Sequence, residues 1–402
     1  MSENLIYVDN SATTKISKEC LEAMMPYLKE NFANPSSIYS IAHTAKFALE
    51  KAREKAANAI GAKPEEIYFT SGGTESNNWA IKSSCEIAAK EGKTHIITSN
   101  IEHHSVLHCF KTLEKKGFEV DFAPVNKEGL IELNQLEKIV TKKTSFVSIM
   151  FANNEIGTIQ PIEEIAEFCN ERNIIFHTDA VQAVGHLKLP IEQNKINLLS
   201  ISGHKIHAPK GIGLLYIKKG TKIKNFLDGG GQEKKLRPGT ENVAFAVGLS
   251  VALEKATRNI EEKENKIKIL RDYLLEKIRN RIEKFRVNGS LEKRLSGNLN
   301  LSFEGIEGES LLLLLDSQKI CASSGSACTS SSLEPSHVLL AIGLDPAIAH
   351  GSLRFSLSEE NTKEEIDKIV DVLEYAVNRL RKISPIWNWF LCKIVNKIYK
   401  RR

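Results

Sequence analysis

Residues 173–186, NIIFHTDAVQAVGH, and residues 197–213, NLLSISGHKIHAPKGIG, decide the reading of this chain. Each is a short apolar run that stops at polar or small residues, Asp179 in the first and Ser202, Gly203, His204 and Lys205 in the second. Apolar runs of this length without alternation suit strands covered on both faces. Working outward, EIYFT at 66–70, THIITS at 94–99 and TSFVSIM at 144–150 have the same form, and amphipathic helix-like stretches separate them from about residue 45 to 250. Strands alternating with helices specify an α/β fold with a large, mostly parallel sheet and helices on both faces. Such sheets take ligands at the carboxyl ends of their strands, so the chemistry is expected in the loops that follow these runs.

From about residue 251 to 286 a charged amphipathic pattern without Gly or Pro predicts one long helix linking two domains. Beyond it, VNG, LSGNLNLSF and SLRFSLS read as strands, and NTKEEIDKIVDVLEYAVNRLRKI reads as a helix capped by Asn361 or Thr362. The expected division is a large domain over 15–260, a smaller α+β domain from 1–14 and 261–383, and a basic amphipathic tail over 384–402. In that tail Ile386, Trp387, Phe390, Ile394 and Ile398 recur at helical spacing among Lys393, Lys397, Lys400, Arg401 and Arg402. The tail is too short and too charged to span a bilayer, and docking on the protein's own surface is preferred over an interfacial membrane or partner helix.

Composition excludes several classes. The 402 residues, 42% hydrophobic and 26% charged, are ordinary for a folded chain of two domains. The net charge of +5 comes from interspersed acids and bases, which gives no single-sign field for nucleic acid. Seven cysteines without a CxxC pair form neither a disulfide framework nor a zinc pattern, so no resident metal is expected and a reducing cytoplasm fits best. The start, MSENLIYVDNSATT, lacks the basic and apolar segments of a secretory signal.

Four segments carry chemistry. SGGTESNN at 71–78, between a strand and a helix, offers Gly73, Thr74 and helix-end amides to a phosphate monoester, or else an ordinary helix cap. Asp179 suits pairing with a protonated cofactor nitrogen, or else caps the next helix. Lys205, among small and hydrogen-bonding residues, suits a Schiff base, with Ser202 and His204 as further phosphate donors. In ASSGSACTSSSLEPSHVL at 322–339, Cys328 lies among small residues with no bulky anchor, the setting of an accessible, reactive thiol. Cys20, Cys85, Cys109, Cys169 and Cys392 read as inert, and Cys321 as packed.

Lesser signals surround these. In IEHHSVLH at 101–108, His103 is placed to lie over a cofactor ring and relay protons, or is a polar helix start. His104 and His108 have i, i+4 spacing without the acid of a zinc helix. Asn154 in FANNEIGTIQP and Arg354 in GSLRFSLS suit a carboxylate or a cofactor hydroxyl.

Together with YVDNSATT, NPSS and GGGQEKKLRPGTEN, these segments resemble the cysteine desulfurases of the nitrogen-fixation and housekeeping iron–sulfur class, within fold-type I pyridoxal-phosphate (PLP) enzymes. The resemblance runs in order from about residue 5 to 380. It implies a seven-stranded-type sheet domain, pyridoxal 5'-phosphate on Lys205, and Asp179 on its ring nitrogen. It further implies Gln182 on its phenolic oxygen, His103 over the ring, and Gly73, Thr74, Ser202 and His204 on its phosphate. Thr240 in RPGTEN corresponds to a residue given to the neighbouring subunit's phosphate, which implies a homodimer. Asn154 and Arg354 would hold the carboxylate of L-cysteine, and Cys328 would carry its sulfur as a persulfide, with transient ligation of an iron–sulfur cluster a further role. The implied acceptors are an iron–sulfur scaffold protein or a carrier for tRNA thiolation, with no direct nucleic-acid contact. Tyr39, Ala42, Ala208, Pro238 and the SLSEENT stretch depart from the usual pattern, and none of them removes a named chemical group.

Overall fold

A computed structural model describes residues 5–385 and 387, apart from 192, 194 and 325–333. Its strands in chain order are β1 Ile6–Tyr7, β2 Ile67–Thr70, β3 His95–Ser99, β4 Glu119–Ala123, β5 Thr144–Ser148, β6 Ile175–Asp179, β7 Leu198–Ser202, β8 Gly213–Ile217, β9 Phe285–Val287, β10 Asn298–Phe303, β11 Ile320–Cys321 and β12 Ser352–Ser356. One seven-stranded sheet has the order β2-β8-β7-β6-β5-β3-β4. Only β8 runs against its neighbours β2 and β7; the other pairs are parallel.

The side-chain pattern explains this order. Every residue of β5, β7 and β8 is buried, as central strands with both faces covered require. Val147, Leu199 and Leu214 point to one core with Ala52 and Ala56 of helix Ser40–Ile60 and Leu249 of helix Val243–Thr257. Their sequence neighbours Phe146, Leu198 and Leu215 point to the other, with Trp79 of helix Gly73–Ala89 and Phe110 of helix His104–Lys115. The period of two along each strand thus serves two helical layers. The edge strand β4 instead alternates exposed Glu119 and Asp121 with more buried positions, which blunts the open edge.

A second sheet, β12-β10-β9, is antiparallel and packs on helices Ile260–Arg281 and Lys363–Ile383. Ile6 and Val8 join this core, and β1 pairs in parallel with β11. Thr362 caps the last helix in a reciprocal box with Glu365.

The expected long linker helix is two helices, Val243–Thr257 and Ile260–Arg281. Asn259 breaks it at φ 51°, a left-handed conformation that Asn tolerates, so a break without Gly or Pro went unread. Lys263 stabilises the corner by donating to Ala256 O at 2.8 Å and Gly185 O at 2.6 Å. At the start of the tail, Trp387 covers Gly305 and lies 4.2 Å beneath the Arg381 guanidinium, so that side chain packs on the smaller domain. Positions 386 and 388–402 lie outside the described residues. Among the described residues no helix is long and apolar enough to cross a membrane.

Candidate active site

A cavity of about 760 Å³ opens at the carboxyl ends of the large-sheet strands and is lined on its far side by Arg354 of β12 and by residues 334–337. Lys205 reaches it from a single 3₁₀ turn, Gly203–Lys205, directly after β7. Glycine is required at the start of that turn, because a Cβ on Gly203 would lie 2.9 Å from Ile212 Cγ2 and 3.1 Å from Ile212 O. Lys205 Nζ donates to Ser11 O at 2.6 Å and to Ala12 O at 2.7 Å. The amine is therefore held by neutral carbonyls, and both belong to an N-terminal segment given no role by the sequence reading.

Asp179 ends β6 with its carboxylate at the cavity. Oδ2 accepts from Asn77 Nδ2 at 2.7 Å and Oδ1 from Val181 N at 3.0 Å, so the side chain shapes the following turn and also faces the site. His103 likewise has two roles. It caps helix His104–Lys115, with Nδ1 against the Ser105 hydroxyl at 2.8 Å, and its ring lines the cavity. Burial lowers its pKa and Asp179 opposes that, which leaves a mainly neutral imidazole able to take a proton. Gln182 donates to Ser11 O at 3.0 Å.

The strand-to-helix turn at 72–74 forms the anion end. A Cβ on Gly73 would lie 2.9 Å from Val181 Cγ2 and 3.4 Å from Ser202 Cβ, so the backbone amides approach the cavity where a side chain would fill it. Thr74, Ser202 and His204 line the same end. Burial pushes His204 down to about 4, with Lys205 and Lys210 adding to the effect, and Thr13 Oγ1 meets its Nδ1 at 3.1 Å. Arg237 holds Glu75, the acid of that helix's first turn, at 2.8 Å, which offsets a charge that would repel an anion. Thr240 is exposed and does not line this cavity.

At the opposite end Arg354 projects from β12. Nη1 donates to Asn154 O at 2.8 Å and Nη2 to Asp9 Oδ1 at 2.8 Å, while Nε is buried without an acceptor among the described residues. Two buried carboxyls went unread in the sequence. Glu102 is pushed up to about 8 by burial, against hydrogen bonds from Ser99 and Met150 N. Glu155 is pushed up to about 7 by burial, against a 2.5 Å bond from Ser336 and the charge of Arg354. Their only sequence signal was adjacency, Glu102 to His103 and Glu155 to Asn154.

Cys328 lies outside the described residues, as does Cys392. Cys20, Cys85, Cys109 and Cys169 are buried, and burial raises all four thiols. Cys321 in β11 is half-buried and also raised, first by burial. The rings of His104 and His108 are 5.1 Å apart and those of His104 and His337 4.9 Å, yet among the described residues no group of three or more His, Cys, Asp or Glu side chains could hold a metal ion.

These donors fit PLP. An amine on a short turn suits its aldehyde, a buried carboxylate its ring nitrogen, and a glycine-floored helix start its phosphate. The orphaned Arg354 Nε and the buried, unpartnered Asn77 Oδ1 leave polar capacity inside the cavity.

The family model described as aminotransferase class-V matches residues 6–369. A protein named cysteine desulfurase IscS from Methanosarcina thermophila is 55% identical over 381 residues, covering 95% of this chain and 94% of that one. Among solved structures, one titled NifS-like protein superposes with a TM-score of 0.88 at 39% identity, covering 93% of this chain and all of the other. Another, titled SspA in complex with cysteine, gives 0.78 at 38% identity and covers 89% of this chain and all of the other.

Proposed function

The chain belongs to the class-V aminotransferases and, within them, to the cysteine desulfurases, and from that premise we propose how its own residues perform the reaction. It is a PLP-dependent sulfurtransferase that converts L-cysteine to L-alanine and leaves the sulfur as a persulfide on a cysteine, here Cys328. The observation that carries the assignment of roles is the convergence on one cavity of Asp179 at the end of β6, Lys205 just after β7 and Arg354 within β12.

When bound through Lys205, PLP supplies an electron sink for the α-carbon of the substrate. Arg354 and Asn154 hold the substrate carboxylate and so fix which bond at the α-carbon is aligned to break. Lys205 Nζ, released from its covalent role, takes the α-proton and returns it. Ser11 O and Ala12 O keep that amine in place. Asp179 holds a proton on the cofactor's ring nitrogen, Gln182 orients its phenolic oxygen, and Gly73, Thr74, Ser202 and His204 hold its phosphate. Cys328 Sγ, as thiolate, attacks the substrate sulfur. An S–S bond forms, the C–S bond breaks, and its electron pair stays with the three-carbon fragment. His103 takes the thiol proton of Cys328 beforehand and returns it to that fragment, which leaves as L-alanine.

The persulfide passes to an acceptor, which we propose is an iron–sulfur scaffold or a carrier for tRNA thiolation. A homodimer is part of the proposal. Phe32 (74% exposed), Ile38 (95%), Ile41 (61%) and Phe47 (61%) present apolar surface around the first two helices, and Thr240 is exposed, away from the cavity of its own chain. We assign the large domain to 15–260 and the smaller to 1–14 with 261–383, a division supported by the apolar core around the three-stranded sheet, which draws on residues 6–8 and 267–377. A reducing, cytoplasmic setting is supported by the free state of the described cysteines.

The test is incubation of wild type and Cys328→Ser with L-cysteine, reading L-alanine and the persulfide. Loss of both in the variant is expected. Undiminished alanine release by Cys328→Ser would overturn the nucleophile assignment.

A further inference from the structure

The segment YVDNSATT, residues 7–14, makes polar contacts with Lys205, Gln182, His204 and Arg354. Ser11 and Ala12 hold Lys205, Ser11 also holds Gln182, and Thr13 meets His204. Asp9 is the charged member. It is anchored to the smaller domain by its bridge to Ser356, and Ser11 N adds a 2.9 Å bond to Ser356 Oγ. Its carboxylate, 17% exposed, pairs with the 3% exposed guanidinium of Arg354 at 2.8 Å.

The geometry at Arg354 is specific. Each terminal nitrogen is tied once, Nη1 to Asn154 O and Nη2 to Asp9, so the plane of the fork is set by two partners on opposite domains. Nε is the one nitrogen of the fork with no acceptor among the described residues, and each terminal nitrogen keeps a second proton, in a residue that lines the cavity. A carboxylate takes an arginine best along two parallel N–H bonds, and the Nε side of a fork pinned at its far nitrogens supplies that edge. Asp9 also offsets part of the guanidinium charge, since two buried opposite charges at this distance share their field.

We infer that Asp9 is a positioning residue for substrate: acting through Arg354, it orients the guanidinium toward the α-carboxylate and moderates its pull. The inference rests on the reading of Arg354 as the carboxylate ligand. Orientation and charge separate in two substitutions. Asp9→Asn keeps an acceptor for Nη2 and removes the charge; Asp9→Ala removes both.

The experiment measures KM and kcat for L-cysteine and, by calorimetry on the PLP-loaded enzyme, the affinities for L-alanine and for L-alaninamide, which lacks the carboxylate. For Asp9→Ala the expected result is a KM raised about tenfold or more, a smaller change in kcat, and an equal weakening of L-alanine without weakening of L-alaninamide. For Asp9→Asn, L-alanine binding is retained or tightened. Parallel loss of both ligands in Asp9→Ala, or loss of kcat at constant KM in Asp9→Asn, would overturn the inference. Should Asp9→Ala not fold, Asp9→Asn decides alone: weakened L-alanine with unchanged L-alaninamide would show that the charge attracts rather than moderates, and would also overturn it. Arg354→Gln separates the two readings, because unchanged L-alanine affinity there removes the carboxylate assignment itself whatever Asp9 does.

Discussion

Replacing Glu155 by Gln should make the protein more stable at alkaline pH and change little at acid pH. Glu155 is buried, with 5% of its surface exposed. Its carboxylate accepts a 2.5 Å bond from Ser336, and its carbonyl accepts from Asn298 and Asn300 of the smaller domain, each at 3.1 Å. Burial raises its pKa from 4.5 to about 7, with the Ser336 bond and Arg354 opposing. The sign follows from proton counting. Between those values the folded chain keeps a proton that the unfolded chain has released, so stability falls as pH rises through the window, and the full penalty is present above about pH 7. Moving a carboxyl from 4.5 to about 7 corresponds to about 3 kcal/mol. Gln keeps an acceptor for Ser336 and has no charge to desolvate. Urea unfolding at fixed protein and PLP concentration, followed by circular dichroism, should give a variant advantage near zero at about pH 4 that grows toward ~3 kcal/mol at about pH 8. A gap that stays constant over that range, or wild type pulling ahead as pH rises, would show that Arg354 outweighs desolvation and would refute the reasoning.

Two further substitutions test other parts of the structure. Gly73→Ala should weaken retention of PLP, read as faster loss of coenzyme absorbance on dialysis, because the added Cβ would meet Val181 Cγ2 at 2.9 Å; wild-type retention would mean the turn relaxes at no cost to the phosphate. Glu233→Gln should destabilise by about 3–5 kcal/mol in urea, since it leaves buried Arg53 without its bidentate counter-charge. Glu233, Lys234 and Lys235 all have positive φ, a conformation that this ion pair helps to hold, so a change under about 1 kcal/mol would show that the segment is fixed by other contacts.

The sheet was legible because its central strands form around short apolar runs and end at residues unsuited to a core. Asp179 and Lys205 stood out for the same reason: a charge at the end of an apolar run needs an explanation that packing does not supply. A cap at Asn361 or Thr362 was legible from residue preference, and the structure selects Thr362. The break at Asn259 was not, because left-handed Asn leaves no mark in a pattern read for Gly and Pro. Asp9 and Glu155 were missed for a different reason. Their neighbours lie far away in sequence, with Arg354 345 residues from Asp9 and Ser336 181 residues from Glu155. No periodicity or spacing encodes such a meeting, and each acid looks like any surface carboxylate until its burial is known.

That same long-range meeting explains why the site lies where two cores join. Lys205 and Asp179 are set by the large sheet, Arg354 by the small one, and neither set alone can hold a substrate that must present its amine to one and its carboxylate to the other. The N-terminal segment resolves the geometry. It is fastened to β12 through Asn10 and Ser11, yet its carbonyls at Ser11 and Ala12 hold the amine of Lys205. A displacement of the smaller domain therefore moves the guanidinium of Arg354 and the acceptors of Lys205 together, so the spacing between amine and carboxylate sites is kept by one short piece of chain. Reactions that depend on which bond of the α-carbon is aligned need that spacing held more closely than a free domain contact provides.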